Sequence, residues 1–261
     1  VLYSHSLRVG KVAGMKKRII MFFVLVMAFA SNALAYTETV NGVTWYYVIA
    51  NGQAGIGGGD YLTPAVSKSE YGDITIPSRL GGKQVTYMRS YAFYCCSDIT
   101  GVTIPNTMTE IGNSAFRECI RLATVTIPNS VTNINFHAFQ NCRGLKSVTI
   151  PNSVRRIGAE AFKGSGLTSV TIPDGVKSIE LYTFDSCSGL TSVTMPNSVT
   201  SIEESAFAGC VGLTRVTIPA SVTSIERKAF EGCTSLVEVL IPTKCSIGSD
   251  AIPSSAKVTR Y

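Results

Sequence analysis

Histidine, tryptophan and charged residues are scarce in this 261-residue chain, which has two His, one Trp and 15% charged residues. His5 precedes the first Met, so His137 is the single imidazole in the rest of the sequence. One His cannot form a His-rich zinc site, and the cysteines include no CxxC spacing of the zinc-ribbon kind. The glycine-rich stretch "GIGGG" at 55–59 is followed by no Lys and no helical pattern, unlike a phosphate-binding loop. We therefore expect no enzyme activity and no cofactor.

A long apolar run occurs once, near the N-terminus. Three bases, Lys16, Lys17 and Arg18, are followed by apolar residues 19–30 and by the small-x-small sequence Ala33-Leu34-Ala35. The run is shorter than the ~20 residues that span a bilayer. This order predicts a secretory signal peptide over 15–35, with residues 1–14 interpreted as an over-extended start. We expect an exported protein (secreted, cell-surface or periplasmic) that meets the membrane only through this segment.

Net positive charge is also absent once that leader is set aside. The chain carries 23 Lys and Arg against 17 Asp and Glu, and residues 1–35 hold five of the bases and no acid. The remainder is close to neutral, with 18 bases against 17 acids. Nucleic-acid binding needs a clustered basic face, so we expect no nucleic-acid partner.

Cysteine, by contrast, is plentiful, with eight residues in the chain. An exported protein with this many Cys could form disulfides, but most of them recur at one repeat position, where Ser165 replaces one member. A residue that Ser can replace is typical of a small buried filler. Stacked side chains that point the same way also conflict with disulfide geometry, so we expect free thiols. The recurrent residues are Cys96, Cys119, Cys142, Cys187, Cys210 and Cys233.

A repeat of 22–23 residues runs along most of the chain. Proline recurs at spacings of 23, 23, 22, 23, 23 and 23, and phenylalanine follows the same intervals. A fixed period in this range with a Leu-x-x-Val-x-Ile core is the mark of a leucine-rich-repeat solenoid, in which neighbouring units stack to bury a shared core. The markers are Pro105, Pro128, Pro151, Pro173, Pro196, Pro219 and Pro242, and Phe93, Phe116, Phe139, Phe162, Phe184, Phe207 and Phe230.

One unit, "LTSVTMPNSVTSIEESAFAGC" at 190–210, predicts the path of each coil. Leu190, Val193 and Met195 have the spacing of a strand with its apolar residues inward, and Pro196 ends it. We expect a curved, right-handed coil of about eight turns with a parallel β-sheet on its concave face. Neighbouring strands of this sheet should lie ~4.8 Å apart. The return side is predicted to consist of short helical turns or loops around Ala206-Phe207.

The two ends differ from the regular units. Residues 36–50 contain Asn41-Gly42, a hairpin turn signal between strand-like runs. An open solenoid end exposes core and sheet edge and so needs a cap. We predict an N-terminal β cap over 36–70, a repeat solenoid over 71–242 and a C-terminal cap over 243–261.

The repeat "LTSVTIPNSVTSIG..AF.GC..L" resembles the BspA-like family of leucine-rich repeats, over about residues 71–245. The family occurs in exported proteins of Bacteroides-type bacteria, treponemes and some protozoan parasites. The resemblance implies a surface or secreted protein, and some members are implicated in adhesion to host proteins or other bacteria.

Two columns of residues are predicted to face outward from the concave sheet. A flat hydroxyl-rich face of this kind could bind a protein or a glycan. The alternative is structural, because Thr favours strands and like residues stack well in a ladder. The candidates are Thr103, Thr126, Thr149, Thr171, Thr194 and Thr217 in one column and Ser147, Ser192 and Arg215 in the other.

Aromatic residues gather near the N-terminus and form a second candidate site. Trp45, Tyr46, Tyr47 and Tyr61 lie in a segment with most of the Tyr residues. Rigid aromatics are enriched at binding hot spots. They serve equally well to seal a cap, and this alternative is the favoured one.

Together these features predict a non-enzymatic, exported recognition protein that binds protein or glycan ligands in adhesion. The alternative from another class is a structural or self-associating envelope protein. A hydrolase with an unconventional site is a remote third. A monomer is the favoured oligomeric state.

Overall fold

The computed structural model describes residues 35–58, 63–67, 70 and 72–261. The expected over-extended start and all of the expected signal peptide except Ala35 lie outside the described residues. Among the described residues, none forms a helix long and apolar enough to cross a membrane. The strands are β1 Ala35–Val40, β2 Val43–Ala50, β3 Gln53–Ile56, β4 Gly72–Thr75, β5 Arg79–Leu80, β6 Lys83–Met88, β7 Ile99–Thr103, β8 Glu110–Ile111, β9 Thr124–Thr126, β10 Asn133–Ile134, β11 Arg156–Ile157, β12 Ser169–Thr171, β13 Ser178–Ile179, β14 Ser192–Thr194, β15 Ser201–Ile202, β16 Arg215–Thr217, β17 Ser224–Ile225, β18 Glu238–Ile241, β19 Ser246–Ile247 and β20 Lys257–Arg260.

The first sheet closes the N-terminal end of the solenoid. Its five strands lie in the order β1-β2-β3-β6-β5, and β1 and β2 form an antiparallel hairpin. Asn41 and Gly42 both have positive φ, 51° and 84°, as a two-residue type I′ turn requires. Strand β6 then leads the chain into the repeated coils.

The repeated coils form the leucine-rich-repeat solenoid that the sequence predicts, with about eight turns. On the concave face, parallel strands from successive coils pair in register, as in Val170 opposite Val193 and Val216 opposite Val239. The inward Val, the following Ile and the Leu that opens each unit are apolar, and alternation along the strand directs them to the core. The apolar pattern of one unit therefore recurs as continuous rows along the solenoid.

The concave sheet is interrupted rather than continuous, which the sequence does not predict. It consists of three separate sheets, β4-β7-β9, β12-β14 and β16-β18-β20. Residues 147–149 form no strand. The inward side chains before or within each interruption, Val125, Val148, Val193 and Met195, are only half-buried, whereas those of the first strand after each interruption, Val170 and Val216, are 4% and 1% exposed.

A second parallel ladder runs along another side of the coil. It consists of two-residue strands in the orders β8-β10-β11 and β13-β15-β17-β19. Ile111, Ile134, Ile179 and Ile202 point inward from it and are at most 2% exposed. Two ladders at different angles enclose one core between them.

The return side is built from hydrogen-bonded turns, and no helix occurs there in the described residues. Main-chain N–H groups alternate between local and inter-coil partners. Arg117 N–H donates to the Ser114 carbonyl within its own turn, at 3.2 Å, whereas Phe116 N–H donates to the Ala138 carbonyl of the next coil, at 2.8 Å. A helix would keep every bond within its own segment. Alternation instead links each coil to the next and satisfies the buried backbone.

The alternation depends on left-handed residues that recur in each turn. Ser186 and Gly209 occupy the same repeat position and have φ of 60° and 66°. A residue with a side chain loses about 1 kcal/mol of stability when its backbone adopts this left-handed conformation. A Cβ on Gly209 would meet no atom closer than 3.5 Å, so only the backbone would oppose its addition.

We therefore expect Gly209→Ala to lower the free energy of unfolding by about 1 kcal/mol, and Ser186→Gly to raise it by a similar amount. Urea unfolding followed by circular dichroism measures both. Gly232, with φ of 70° and similar free space, provides a repeat of the first test. Unchanged stability in both Gly→Ala variants would contradict a left-handed strain term at this position.

Phenylalanine rings form a continuous stack through the core. Adjacent rings lie 4.9–5.7 Å apart between centroids, with interplanar angles of 4–11°. All seven Phe side chains of the stack are fully buried. Trp45 closes one end, edge-on to Phe93 at 6.3 Å. The stack holds successive coils in register.

Candidate functional site

The outward Thr column lies on the concave face. All six candidate Thr residues are exposed, because they alternate along their strands with inward Val and Ile. Thr103 lies directly opposite Thr126, and Thr171 directly opposite Thr194. The interruptions separate the other neighbours: Thr149 lies outside any strand, and Thr194 and Thr217 belong to different sheets. The row of hydroxyls is thus divided into short segments.

The second column passes from hydroxyls to charges along the face. Ser147 and Ser192 are exposed, and Ser192 pairs with Ser169. Arg215 lies opposite Glu238, and its guanidinium Nη2 lies 2.9 Å from Glu238 Oε2. An exposed pair of this kind contributes at most ~1 kcal/mol to stability. Its effect is to make this end of the face polar while leaving it electrically balanced.

The hydroxyl groups of other Thr columns are hydrogen-bonded to main-chain carbonyls, and in this they differ from the hydroxyls of the concave column. Thr132 Oγ1 donates to the Thr109 carbonyl at 3.2 Å, and Thr191 Oγ1 donates to the Thr168 carbonyl at 3.0 Å. Thr200 and Thr223 make the same inter-coil bond. Within the described part of the chain, the six concave Thr hydroxyls form no hydrogen bond with protein. The sequence distinguishes the concave column by its outward position, but it does not show which Thr hydroxyls are bonded to main-chain carbonyls.

The aromatic candidates divide by burial. Trp45 and Tyr47 are each 1% exposed, and Tyr47 stacks on Tyr36 at 5.6 Å. Their rings pack inside the N-terminal sheet, which favours the cap alternative for these two residues. Tyr46 is half-buried, and Tyr61 lies outside the described residues.

The thiols are buried within the Phe stack. None of the eight Cys forms a disulfide, and seven are buried. Cys210 Sγ donates to the Phe184 carbonyl and Cys233 Sγ to the Phe207 carbonyl, both at 3.1 Å. Burial raises the pKa of the Cys187 thiol to about 11 and that of Cys233 to about 12. At neutral pH these thiols are protonated and weakly nucleophilic.

Other ionisable groups fulfil structural roles. His137 Nε2 lies 3.1 Å from Glu160 Oε1. Glu203 accepts hydrogen bonds from Ser178 Oγ at 2.6 Å and from Leu181 N–H at 3.1 Å, and Glu204 pairs with Arg227. Among the described residues, no three His, Cys, Asp or Glu side chains are grouped to hold a metal ion.

Residues 117–163 carry seven Lys and Arg against two Asp and Glu, and three of these bases pair with acids of neighbouring coils. Arg121 Nη1 lies 3.2 Å from Asp98 Oδ1, and Arg156 Nε lies 2.7 Å from Glu180 Oε1. Lys163 Nζ lies 3.1 Å from Asp185 Oδ2. The uneven distribution of charge along the sequence is therefore partly balanced across the coils.

Comparison with a family model identifies the repeat. The model of the BspA type leucine rich repeat region (6 copies) matches residues 68–168 and 155–260. No curated protein matches the chain.

Several solved structures share the fold. A leucine-rich repeat protein from Bacteroides ovatus ATCC 8483 is 28% identical with a TM-score of 0.73, over 86% of this chain and 61% of that chain. A leucine rich cell surface protein from Faecalibacterium prausnitzii A2-165 is 26% identical with a TM-score of 0.59, over 90% of this chain and 78% of that chain. The leucine-rich repeat protein of T. pallidum, 24% identical with a TM-score of 0.56, over 80% of this chain and 88% of that chain, shows the fold alone. This chain thus spans less than two thirds of the B. ovatus protein.

Proposed function

This chain belongs to the BspA-type leucine-rich-repeat family, and from that premise we propose that it is an exported, non-enzymatic recognition protein that binds a macromolecule on its concave face. Two observations support export: the leader pattern at 15–35 and the similarity to a cell surface protein of F. prausnitzii. The ligand of this proposal is a protein or a glycan.

The unengaged Thr hydroxyls of the concave column are the observation that carries the proposal. Hydroxyls on other columns are bonded to carbonyls of the preceding coil, for example Thr191 to Thr168. Those of Thr126, Thr171 and Thr217 are exposed and free of such bonds. Each can donate and accept a hydrogen bond, and each stands on a backbone that the core holds rigid. Such a preorganised surface loses little conformational entropy when a ligand binds.

The chemistry of the remaining side chains supports binding rather than catalysis. The protonated, buried Cys column offers no thiolate nucleophile. His137 is placed beside Glu160, and neither residue belongs to the concave column. The face with free polar groups and the residues suited to acid–base chemistry are therefore separate.

Lysine substitutions on the concave face test the proposal. We expect Thr126→Lys/Thr171→Lys/Thr217→Lys to lower the affinity for the ligand by more than tenfold, since three long cations would displace hydroxyl contacts. Binding of the purified protein to arrays of matrix proteins and glycans, followed by titration against the best ligand, provides the measurement. The matched control is Thr132→Lys/Thr200→Lys/Thr223→Lys, which adds the same charge to exposed Thr residues that directly precede strands β10, β15 and β17 of the second ladder.

Equal binding by both triple variants would contradict a concave site. Loss in both would indicate a charge effect without a specific face. Loss only in the concave variant supports the proposal.

Self-association is the alternative that one observation favours. Strand β20 pairs only with β18 among the described strands, and Val258 on it is 41% exposed. Unpaired strand edges can add a strand from another chain. We expect a monomer by sedimentation velocity, and a dimer whose population grows with concentration would favour the envelope-structure alternative.

A further inference from the structure

An open cleft of about 450 Å³ lies where β14 and β16 fail to pair. Its lining includes Val193 and Met195 from the first coil and Pro219 and Ala220 from the next. The volume falls within the range of about 300–1,000 Å³ typical of small-ligand sites. The cleft is therefore large enough to receive one small ligand group, which would stay open to solvent on one side.

Two departures from the repeat coincide with this cleft. Met195 stands where the neighbouring coils carry Ile172 and Ile218, and Ala220 stands where the preceding coil carries Asn197. Both residues line the cleft. The Ala side chain is smaller than Asn, and the unbranched Met adapts its shape more readily than Ile. Side-chain volume is therefore lost at Ala220 and side-chain rigidity at Met195, which lie in adjacent coils.

The backbone opens at the same place. Ile172 N–H donates to the Thr194 carbonyl at 2.9 Å, and Ile218 N–H donates to the Leu240 carbonyl at 2.9 Å. The equivalent bond from Met195 to Thr217 is not formed. Val193 and Met195 are correspondingly half-buried, so apolar atoms form part of the cleft surface.

Tyr261 supplies an aromatic wall that is fixed in place. Its N–H donates to the Ile241 carbonyl at 3.0 Å, and its hydroxyl donates to the Ile218 carbonyl at 2.6 Å. Its own carbonyl accepts a bond from Thr243 Oγ1 at 2.7 Å. The residue is still 53% exposed. The backbone of Tyr261 is thus held at two points and its ring at the hydroxyl, so this solvent-exposed ring is preorganised for stacking.

The lining identifies the chemical class of the ligand. It combines the Tyr261 ring and apolar atoms of Met195 and Pro219 with the Thr194 and Thr217 hydroxyls and the Asn197 amide, and it contains no charged side chain. A neutral sugar ring has an apolar face that packs on an aromatic ring, and hydroxyl groups that bond to Thr and Asn. We propose that this cleft binds a neutral sugar unit of a glycan ligand, an inference that rests on the proposed recognition function and locates its centre.

Methyl NMR offers a direct test, because methionine reports on the cleft. Met195 lines it, whereas Met88 and Met108 are 2% and 0% exposed in the core. The protein labelled with ¹³C in its Met methyl groups is titrated with glucose, galactose, mannose, N-acetylglucosamine and N-acetylgalactosamine. We expect at least one sugar to shift the Met195 signal in a saturable way and to leave Met88 and Met108 unchanged. No shift with any of the five sugars would overturn the proposal.

Repair of the repeat provides a variant that should fold normally. Ala220→Asn introduces the residue that other units carry at this position, and it should fill the cleft and weaken sugar binding at least about tenfold. Tyr261→Ala should abolish the shift. Asn129→Ala makes the opposite exchange at the same repeat position, far along the sequence from the cleft, and should leave binding unchanged.

The two proposals can fail separately. If a glycan or protein ligand from the arrays binds Ala220→Asn and Tyr261→Ala as tightly as the unmodified protein, the cleft proposal fails and concave-face recognition stands. If no array ligand binds and sugars still shift the Met195 signal, the result supports the sugar site in the cleft and contradicts macromolecular recognition by the concave face.

Discussion

Phe162→Ala is expected to destabilise the protein by about 3–5 kcal/mol, the range for loss of a fully buried aromatic ring. Phe162 lies in the middle of the stack, with Phe139 at 5.3 Å and Phe184 at 5.7 Å between ring centroids. Its removal leaves a cavity and also ends two ring contacts between coils. In a solenoid each unit is stabilised mainly by its neighbours, so the loss should weaken both adjacent interfaces. Urea unfolding monitored by circular dichroism measures the effect.

Phe136→Ala is the matched control for that experiment. Phe136 belongs to the coil of Phe139, but its side chain is 43% exposed. We expect a change of about 0.5 kcal/mol or less, as for most surface substitutions. Equal losses in the two variants would show that the ring stack has no special part in stability.

Alkaline unfolding near pH 11 is the second large effect that we expect. Burial raises the pKa of the thiols of Cys119, Cys142 and Cys210 as well as those of Cys187 and Cys233. These thiols remain protonated in the folded protein, whereas unfolding exposes them to water, where they ionise above their ordinary pKa of 9.0. Their contribution is fully present below pH 9 and decreases as pH rises, up to about pH 11 for Cys187 and about pH 12 for Cys233.

The expected slope is steep because the groups act together. Each thiol that is protonated in the folded protein but ionised in the unfolded chain lowers the free energy of unfolding by about 1.4 kcal/mol per pH unit in this window. Five such thiols lower it by about 7 kcal/mol per pH unit. A typical domain has only about 5–15 kcal/mol in total. The free energy of unfolding, measured in reductant at a series of pH values from 8 to about 11, provides the test.

A single substitution isolates the cause of the slope. Ser165 already replaces Cys in the column, so Cys233→Ser should be tolerated and should reduce the slope by about 1.4 kcal/mol per pH unit. Leu236→Ala, a buried neighbour with no ionisable group, should lower stability at every pH and leave the slope unchanged. An unaltered slope in Cys233→Ser would rule out the thiols as its origin.

Much of the scaffold was predictable because each unit repeats the same contacts. Spacings of Pro and Phe define the coil length, and alternation of Val and Ile around Thr194 or Thr217 assigns the inward and outward faces. The structure confirms the solenoid, and the match to the family model confirms the family. The signal peptide, the domain boundaries and the binding roles of the concave Thr residues stay predictions.

The return side was harder to predict, since its residues show no common type. Tyr182, Ser205 and Lys228 all have positive φ at one repeat position, although none is a residue that favours this conformation. The inter-coil hydrogen bonds select the conformation there and override local preference. The interruptions of the concave sheet were missed for a similar reason, because Val148 and Val193 match the repeat perfectly.

The sequence by itself determined the coil length, the buried column of Phe and Cys, and the exposure of the Thr face. These depend on periodicity, which makes neighbouring units bury identical positions. Only the tertiary structure decided which hydroxyls are free, which aromatics are buried in the cap, and where the concave sheet opens beside Tyr261. Those properties arise from contacts between coils, and across 43 residues in the bond from Tyr261 to Ile218, so no local pattern in one unit contains them.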